Sequence, residues 1–148
     1  MQLFIGADHN GFAMKAEFAA VLRAAGYDVV DEGDKQLDPA DDFPQFAARV
    51  VQAMQASKDK DARGILICGS GQGMCMAANR FKGIRASLVW DVAEAHASRN
   101  DDDSNVLCLP ARFVDTGTAI KIAEAWLATP FAGAPRFKRR IKEMDELI

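Results

Sequence analysis

Short apolar runs alternate along this chain with stretches in which apolar residues return every three or four positions. Leu3 to Ala7 predicts a first strand. Met14, Phe18, Val21, Leu22 and Ala25 then fall on one helical face, and Gly26 ends that helix. Tyr27 to Asp31 predicts strand two, followed by a polar loop to Asp41. Asp42 stands as the N-cap of a second helix, with Pro44 in its first turn and Gln45 at the capping-box position. Its stripe is Phe46, Ala47, Val50, Val51 and Met54. Ile65-Leu66-Ile67 reads as a strand buried on both faces, with Cys68 at its end. Gly69, Gly71 and Gly73 follow, then a helix to about Phe81. Ile84 to Val89 predicts strand four, Asp91 to Arg99 a short helix, and Val106 to Leu109 strand five. Asp115 or Thr116 caps a helix whose face is Ala119, Ile122, Ala123, Trp126 and Leu127. The last helix starts near Arg136 and carries Phe137, Ile141, Met144 and Ile148 in one narrow stripe.

Strands alternating with helices predict an α/β fold, a five-stranded parallel sheet covered on both faces. The carboxyl ends of strands one, three and five, with the Asn100–Asn105 loop, are expected to share one cleft. The narrow final stripe points to packing on a partner, hence a dimer.

The 148 residues suit one domain with a substantial core. Hydrophobic content of 49% beside 26% charged predicts a folded soluble protein. A net charge of -3 speaks against nucleic acid or a membrane surface as partner. No run is apolar enough to span a bilayer, and no signal-peptide pattern opens the chain. Three cysteines, each in an apolar strand or helix, favour reduced thiols in a cytoplasm.

Candidate chemistry gathers where strand three meets its glycine loop. Such a loop at the carboxyl edge of a parallel sheet suits a dinucleotide, a phosphate, a developing oxyanion or a tight turn. The Rossmann fingerprint fails, because the third glycine comes too early and strand four, ending Ser87-Leu88-Val89, closes on no acid. A Walker loop fails for want of Lys-Ser or Lys-Thr. No cofactor is implied. Cys68, at a helix N-terminus, is expected to lose its proton more easily than a free cysteine. Cys75 and Cys108 read as core, and His96 as a surface residue. Asp101, Asp102 and Asp103 read either as ligands of a hard cation or as a solvated turn; the turn is preferred for Asp103, and no metal is assigned.

The chain resembles the ribose-5-phosphate isomerase B family, which includes the galactose-6-phosphate isomerase subunits. The resemblance rests on Gly6 to Gly11, Asp42-Phe43-Pro44, Gly64 to Gly73, Ala77-Ala78-Asn79 with Gly83-Ile84-Arg85, Ser104 to Leu107, Arg112, and Arg136 with Arg140. It implies a Rossmann-like homodimer, or a tetramer, with active sites shared between subunits. It also implies metal-free, cofactor-free interconversion of an aldose and a ketose phosphate through a cis-enediolate. Cys68 then matches the base, and Ser70 the hydroxyl that assists proton transfer. Gly69, Gly71, Gln72 and Gly73 match the oxyanion loop. Asp8, His9 and Asn105 match sugar or phosphate contacts; Arg112, Arg136 and Arg140 match the phosphate clamp.

Three positions depart from the family pattern. Asp101 and Asp102 stand where the family has His-Asn, the histidine opening the sugar ring, and Phe43 stands for a tyrosine. The substrate is therefore a pentose or hexose phosphate whose ring Asp101 or solvent opens, or an acyclic four-carbon phosphate of the erythrulose 4-phosphate type. Asp102 is expected at the sugar end. A non-catalytic sugar-phosphate-binding module is the alternative of another class.

Overall fold

The computed structural model describes residues 1–148. The strands are β1 (Gln2–Ala7), β2 (Asp28–Asp31), β3 (Arg63–Cys68), β4 (Ala86–Leu88) and β5 (Val106–Pro110). The helices are α1 (Phe12–Ala24), α2 (Phe43–Ala56), α3 (Gln72–Ala78), α4 (Val92–Asn100), α5 (Thr116–Ala128) and α6 (Pro135–Asp145). All strand pairs are parallel, in the order β2-β1-β3-β5-β4. This is the expected three-layer α/β/α arrangement. No helix is long and apolar enough to cross a membrane.

Alternation along the strands sorts two cores. Leu3, Ile5, Ile65, Ile67, Leu107 and Leu109 pack with Phe18 of α1 and Ile122 and Trp126 of α5. Phe4, Leu66, Cys68, Val106 and Cys108 face the other way, onto Phe46, Val50 and Met54 of α2 and Met74 of α3. The predicted stripes of α2 and α5 are the buried ones. Asp115 caps α5, its carboxylate accepting from the Thr118 N–H at 2.7 Å.

Several expectations need correction. Val21 and Ala25 are exposed, and Lys15 is buried in α1 instead. Its ammonium is satisfied by both Asp31 carboxylate oxygens at 2.8 Å and the Asp34 carbonyl at 3.0 Å. Asp42 precedes α2 but makes no side-chain cap. Helix α3 stops at Ala78, not Phe81, because the next side chain is used elsewhere. Asn79 donates to the Ala86 carbonyl at 2.9 Å and accepts from its N–H at 2.8 Å, fixing the start of β4.

The largest correction concerns the Asn100–Asn105 loop, which precedes β5 and so lies at the amino edge of the sheet. Its frame is polar and buried. Trp126 Nε1–H donates to Ser104 Oγ at 2.8 Å, and Ser104 Oγ meets Ser98 Oγ at 3.0 Å. Arg99 donates to the Ser104 carbonyl and, at 2.8 Å, to Asp103. The guanidiniums of Arg63 and Arg99 lie 5.3 and 6.0 Å from the Trp126 ring centre. Ser104→Ala strips the indole N–H of its acceptor where no water reaches. It is expected to lower stability by about 1–3 kcal/mol in urea unfolding; an unchanged midpoint would contradict this frame.

Candidate active site

The loop after β1 leads to α1 on one face of the sheet, and the loop after β3 leads to α3 on the other. The loops after β1 and β3 therefore diverge and leave a crevice at the carboxyl edge. Asp8, His9 and Asn10 leave β1 there, Cys68 ends β3, and Arg112 follows β5. The Asp8 N–H donates to the Ile67 carbonyl at 3.3 Å. Asp8 Oδ1 accepts from the N–H groups of Asn10 and Gly11 at 2.9 and 3.3 Å.

Cys68 is 4% exposed. Burial pushes its thiol above the ordinary 9.0, against the nearby Met74, Gly71 and Ser70 backbone N–H groups, which favour the thiolate; the Asp8 charge adds to the rise. The expectation of an acidified thiol is thus corrected: desolvation outweighs the amide cradle. The loop bends through Gly71 at φ +74°, where a Cβ would stand 2.3 Å from Leu88 Cδ1. Ser70 Oγ accepts from the Gln72 N–H at 3.3 Å. The Phe43 ring covers Gly73, within 2.6 Å of where a Cβ would be, and Arg112 lies against Gly69.

A polar chain flanks the thiol. His9 donates its backbone N–H to Asp41 at 3.0 Å, and its Nδ1 lies 2.7 Å from the same oxygen. Its Nε2 is 3.2 Å from Asn10 Nδ2, and Asn10 Oδ1 accepts from Arg112 Nη2 at 3.2 Å. The Asp41 hydrogen bond raises the His9 pKa above 6.5, Asp8 adding to it and desolvation and Arg112 opposing. Asp8, His9 and Asp41 offer three ligand atoms within 4.8 Å of one another. Those of His9 and Asp41 are bonded to each other.

The crevice thus collects Asp8, His9, Cys68, Gly69, Ser70, Gly71, Gln72, Gly73 and Arg112 of the predicted residues. It does not collect Asp101, Asp102, Asn105, Arg136 or Arg140. Strand β5 separates the two groups by its five residues, roughly 16 Å at the usual rise. Asn105 braces the turn before β4, its amide accepting from the Arg85 N–H and donating to the Gly83 carbonyl, both at 2.8 Å. Asp103 pairs with Arg85 at 3.0 Å and Arg99 at 2.8 Å. Asp102, an exposed residue, has its carboxyl pushed up by partial desolvation and then by Asp101, while Arg140 opposes. Arg140 and Arg136 are exposed on α6, and His96 is exposed on α4 as expected.

Cys108 is fully buried, but Cys75 is only half-buried, donating to the Ala86 carbonyl at 3.3 Å. Asn10 and Asp41 escaped the sequence reading. Asn10 lies inside a recognised motif; Asp41 ends a polar loop whose pattern carries no sign of a contact 32 residues away.

Comparison with known proteins shows the family. The profile described as Ribose/Galactose Isomerase matches residues 3–144. The chain is 44% identical over 137 residues to a probable ribose-5-phosphate isomerase B of Mycoplasma pneumoniae, covering 93% of this chain and 89% of that protein. To the Escherichia coli ribose-5-phosphate isomerase B it is 38% identical over 146 residues, 99% of this chain and 95% of the other. The crystal structure of the Mycoplasma genitalium ribose-5-phosphate isomerase B with bound ribulose-5-phosphate superposes with a TM-score of 0.93 at 40% identity, over 99% and 95% of the two chains. Fold, crevice and these likenesses define an aldose–ketose isomerase of phosphorylated sugars. The chain belongs to the ribose/galactose isomerase family.

A thiol held up by burial reacts as thiolate only at alkaline pH. Iodoacetamide alkylation of Cys68, resolved by peptide mass, is expected to keep climbing above about pH 9. A plateau below about pH 8 would show that the N–H cradle wins over burial.

Proposed function

We propose that the chain interconverts ribose 5-phosphate and ribulose 5-phosphate, with Cys68 as acid and base. The Cys68 thiolate takes the proton from C2 of the open-chain aldose, and the carbonyl electrons move onto O1, giving a cis-enediolate. Ser70 relays the proton of the C2 hydroxyl to O1. The Cys68 thiol then returns its proton to C1, which leaves the C2 ketone. The Gly69–Gly73 loop offers N–H groups both to the sulfur and to the developing oxyanion. Asp8 contacts the sugar, and His9 and Arg112 receive the phosphate. The observation that carries the reading is the buried thiol that ends β3 directly before the glycine loop in a family member.

Asp101, Asp102, Arg136 and Arg140 act in this reading from a second copy of the chain. Their distance from Cys68 within one copy favours that arrangement, as do the bare apolar side chains of Met144 on α6 and Ile148 just beyond it, 43% and 63% exposed. The 1–148 chain is then one domain that functions as a homodimer.

A second reading has one observation behind it: no imidazole occupies position 101. A four-carbon 4-phosphate has its O4 esterified, forms no furanose, and needs no ring opening.

Two experiments test these readings. The first compares kcat/KM for ribose 5-phosphate and erythrulose 4-phosphate. Ribose 5-phosphate is expected to be the better substrate, and Cys68→Ala to lose about 10²–10⁴-fold. Preference for the four-carbon sugar moves the assignment to it; a Cys68-independent rate removes the mechanism. The second mixes Cys68→Ala with the Arg136→Ala/Arg140→Ala double variant after unfolding and refolding together. Shared sites predict recovery of about a quarter of wild-type activity, since half the dimers carry one intact site. No recovery would place all these residues in one copy.

A further inference from the structure

The chain has two histidines, and His9 is the one at the crevice. Behind its ring stands Asp41, the last residue of the polar loop before Asp42 and α2. One Asp41 oxygen receives both the His9 backbone N–H at 3.0 Å and Nδ1 at 2.7 Å. The Asp41 side chain is only 8% exposed, whereas the His9 side chain is 34% exposed. A shielded carboxylate thus grips the inner nitrogen, while Nε2 faces the Asn10 amide, whose oxygen takes Arg112. Asp42, one residue on, is exposed and caps nothing.

We propose that Asp41 is a positioning residue: by gripping Nδ1 it makes Nε2 a cationic donor that stands beside Arg112 and anchors the doubly charged phosphate. This rests on the reading that the crevice takes a phosphorylated sugar. In the neutral ring Nδ1–H points to Asp41, and Nε2 accepts from the Asn10 amide at 3.2 Å. Protonation reverses Nε2 from acceptor to donor. Asn10 Oδ1 already receives Arg112 Nη2 at 3.2 Å, so one amide links the two cations. The charged groups facing His9 are Asp41, Asp8 and Arg112. The acids favour the charged ring and Arg112 disfavours it, and the balance lies with the acids. An arriving dianion cancels the remaining repulsion between His9 and Arg112, so anion binding and proton uptake at Nε2 reinforce each other.

The sign follows. A raised pKa keeps His9 charged to higher pH, and the anchor is lost as pH rises through that value. Asp41→Asn keeps an acceptor near Nδ1 but removes the charge, so the loss should come at lower pH.

The test is NMR titration of the imidazole C–H signals, with sulfate as probe because it stays doubly charged throughout. In the wild-type protein His9 is expected to titrate above 6.5. In Asp41→Asn its midpoint should fall by about one unit, a tenfold change in proton affinity. Sulfate should bind the variant like wild type near pH 6 and about tenfold more weakly near pH 8. With ribose 5-phosphate, KM near pH 8 should rise by a similar factor while kcat stays within about twofold. Asp41→Glu, which restores the carboxylate, should recover part of the affinity. An unmoved His9 midpoint, or equal weakening at both pH values, overturns the proposal and leaves Asp41 a loop brace. If Asp41→Asn does not fold, a wild-type midpoint at or below 6.5 overturns it alone. The sulfate and NMR readouts need no turnover, so a failed isomerase assay and a failed anchor remain distinguishable.

Discussion

Ionising a thiol that is almost wholly out of water is the constraint on which this molecule turns. Cys68 ends a strand buried on both faces, and its sulfur looks into the α2–α3 core rather than into solvent. A thiolate there loses its hydration, and only oriented dipoles replace it. The chain supplies three backbone N–H groups, which requires the peptide to fold back at once after β3; a left-handed residue at position 71 makes that possible. The resting balance still favours the thiol. Population and basicity are thereby exchanged: few molecules carry the thiolate at neutral pH, and in the proposed mechanism each one that does is a strong base.

The same sheet that buries the sulfur divides the charges. Arg112, His9, Asp8 and Asp41 occupy the carboxyl edge, and the acidic 101–103 turn with the α6 arginines lies toward the other. Parallel strands allow no compromise, because every loop that follows a strand emerges at one edge and every loop that precedes one emerges at the opposite edge. In the reading proposed above, a small sugar phosphate that touches both groups lies between two copies of the chain.

The architecture was legible because it is written in periodicity. Ile65 to Ile67 and the stripes of α2 and α5 are burial patterns, and burial is what short windows report. Errors fell where side-chain bonding overrides pattern. Lys15 took a core place through Asp31, and Asn79 ended α3 by bonding β4. The structure brings one group of the candidate residues together and leaves the other apart. Cys68 and its loop form one continuous segment, so their geometry follows from local sequence. The grouping with Asp101 and Asn105 failed because proximity in sequence to β5 was taken for proximity to its carboxyl end. Asp41 was missed because its meaning lies entirely in a tertiary contact with His9. The acidity of Cys68 was misjudged because the amide cradle is visible in the motif, whereas the depth of burial is not.

Asp103 adopts φ +48°, a backbone state few side chains accept, and two arginines clamp its carboxylate there. Arg99, Ser104 and Trp126 continue that clamp into the core. The tip residues at 101 and 102 contribute little to this frame. The stability of the loop thus rests on residues 99, 103, 104 and 126 rather than on its tip. A side chain at the tip of such a loop can be exchanged while the scaffold that presents the tip goes on folding as before.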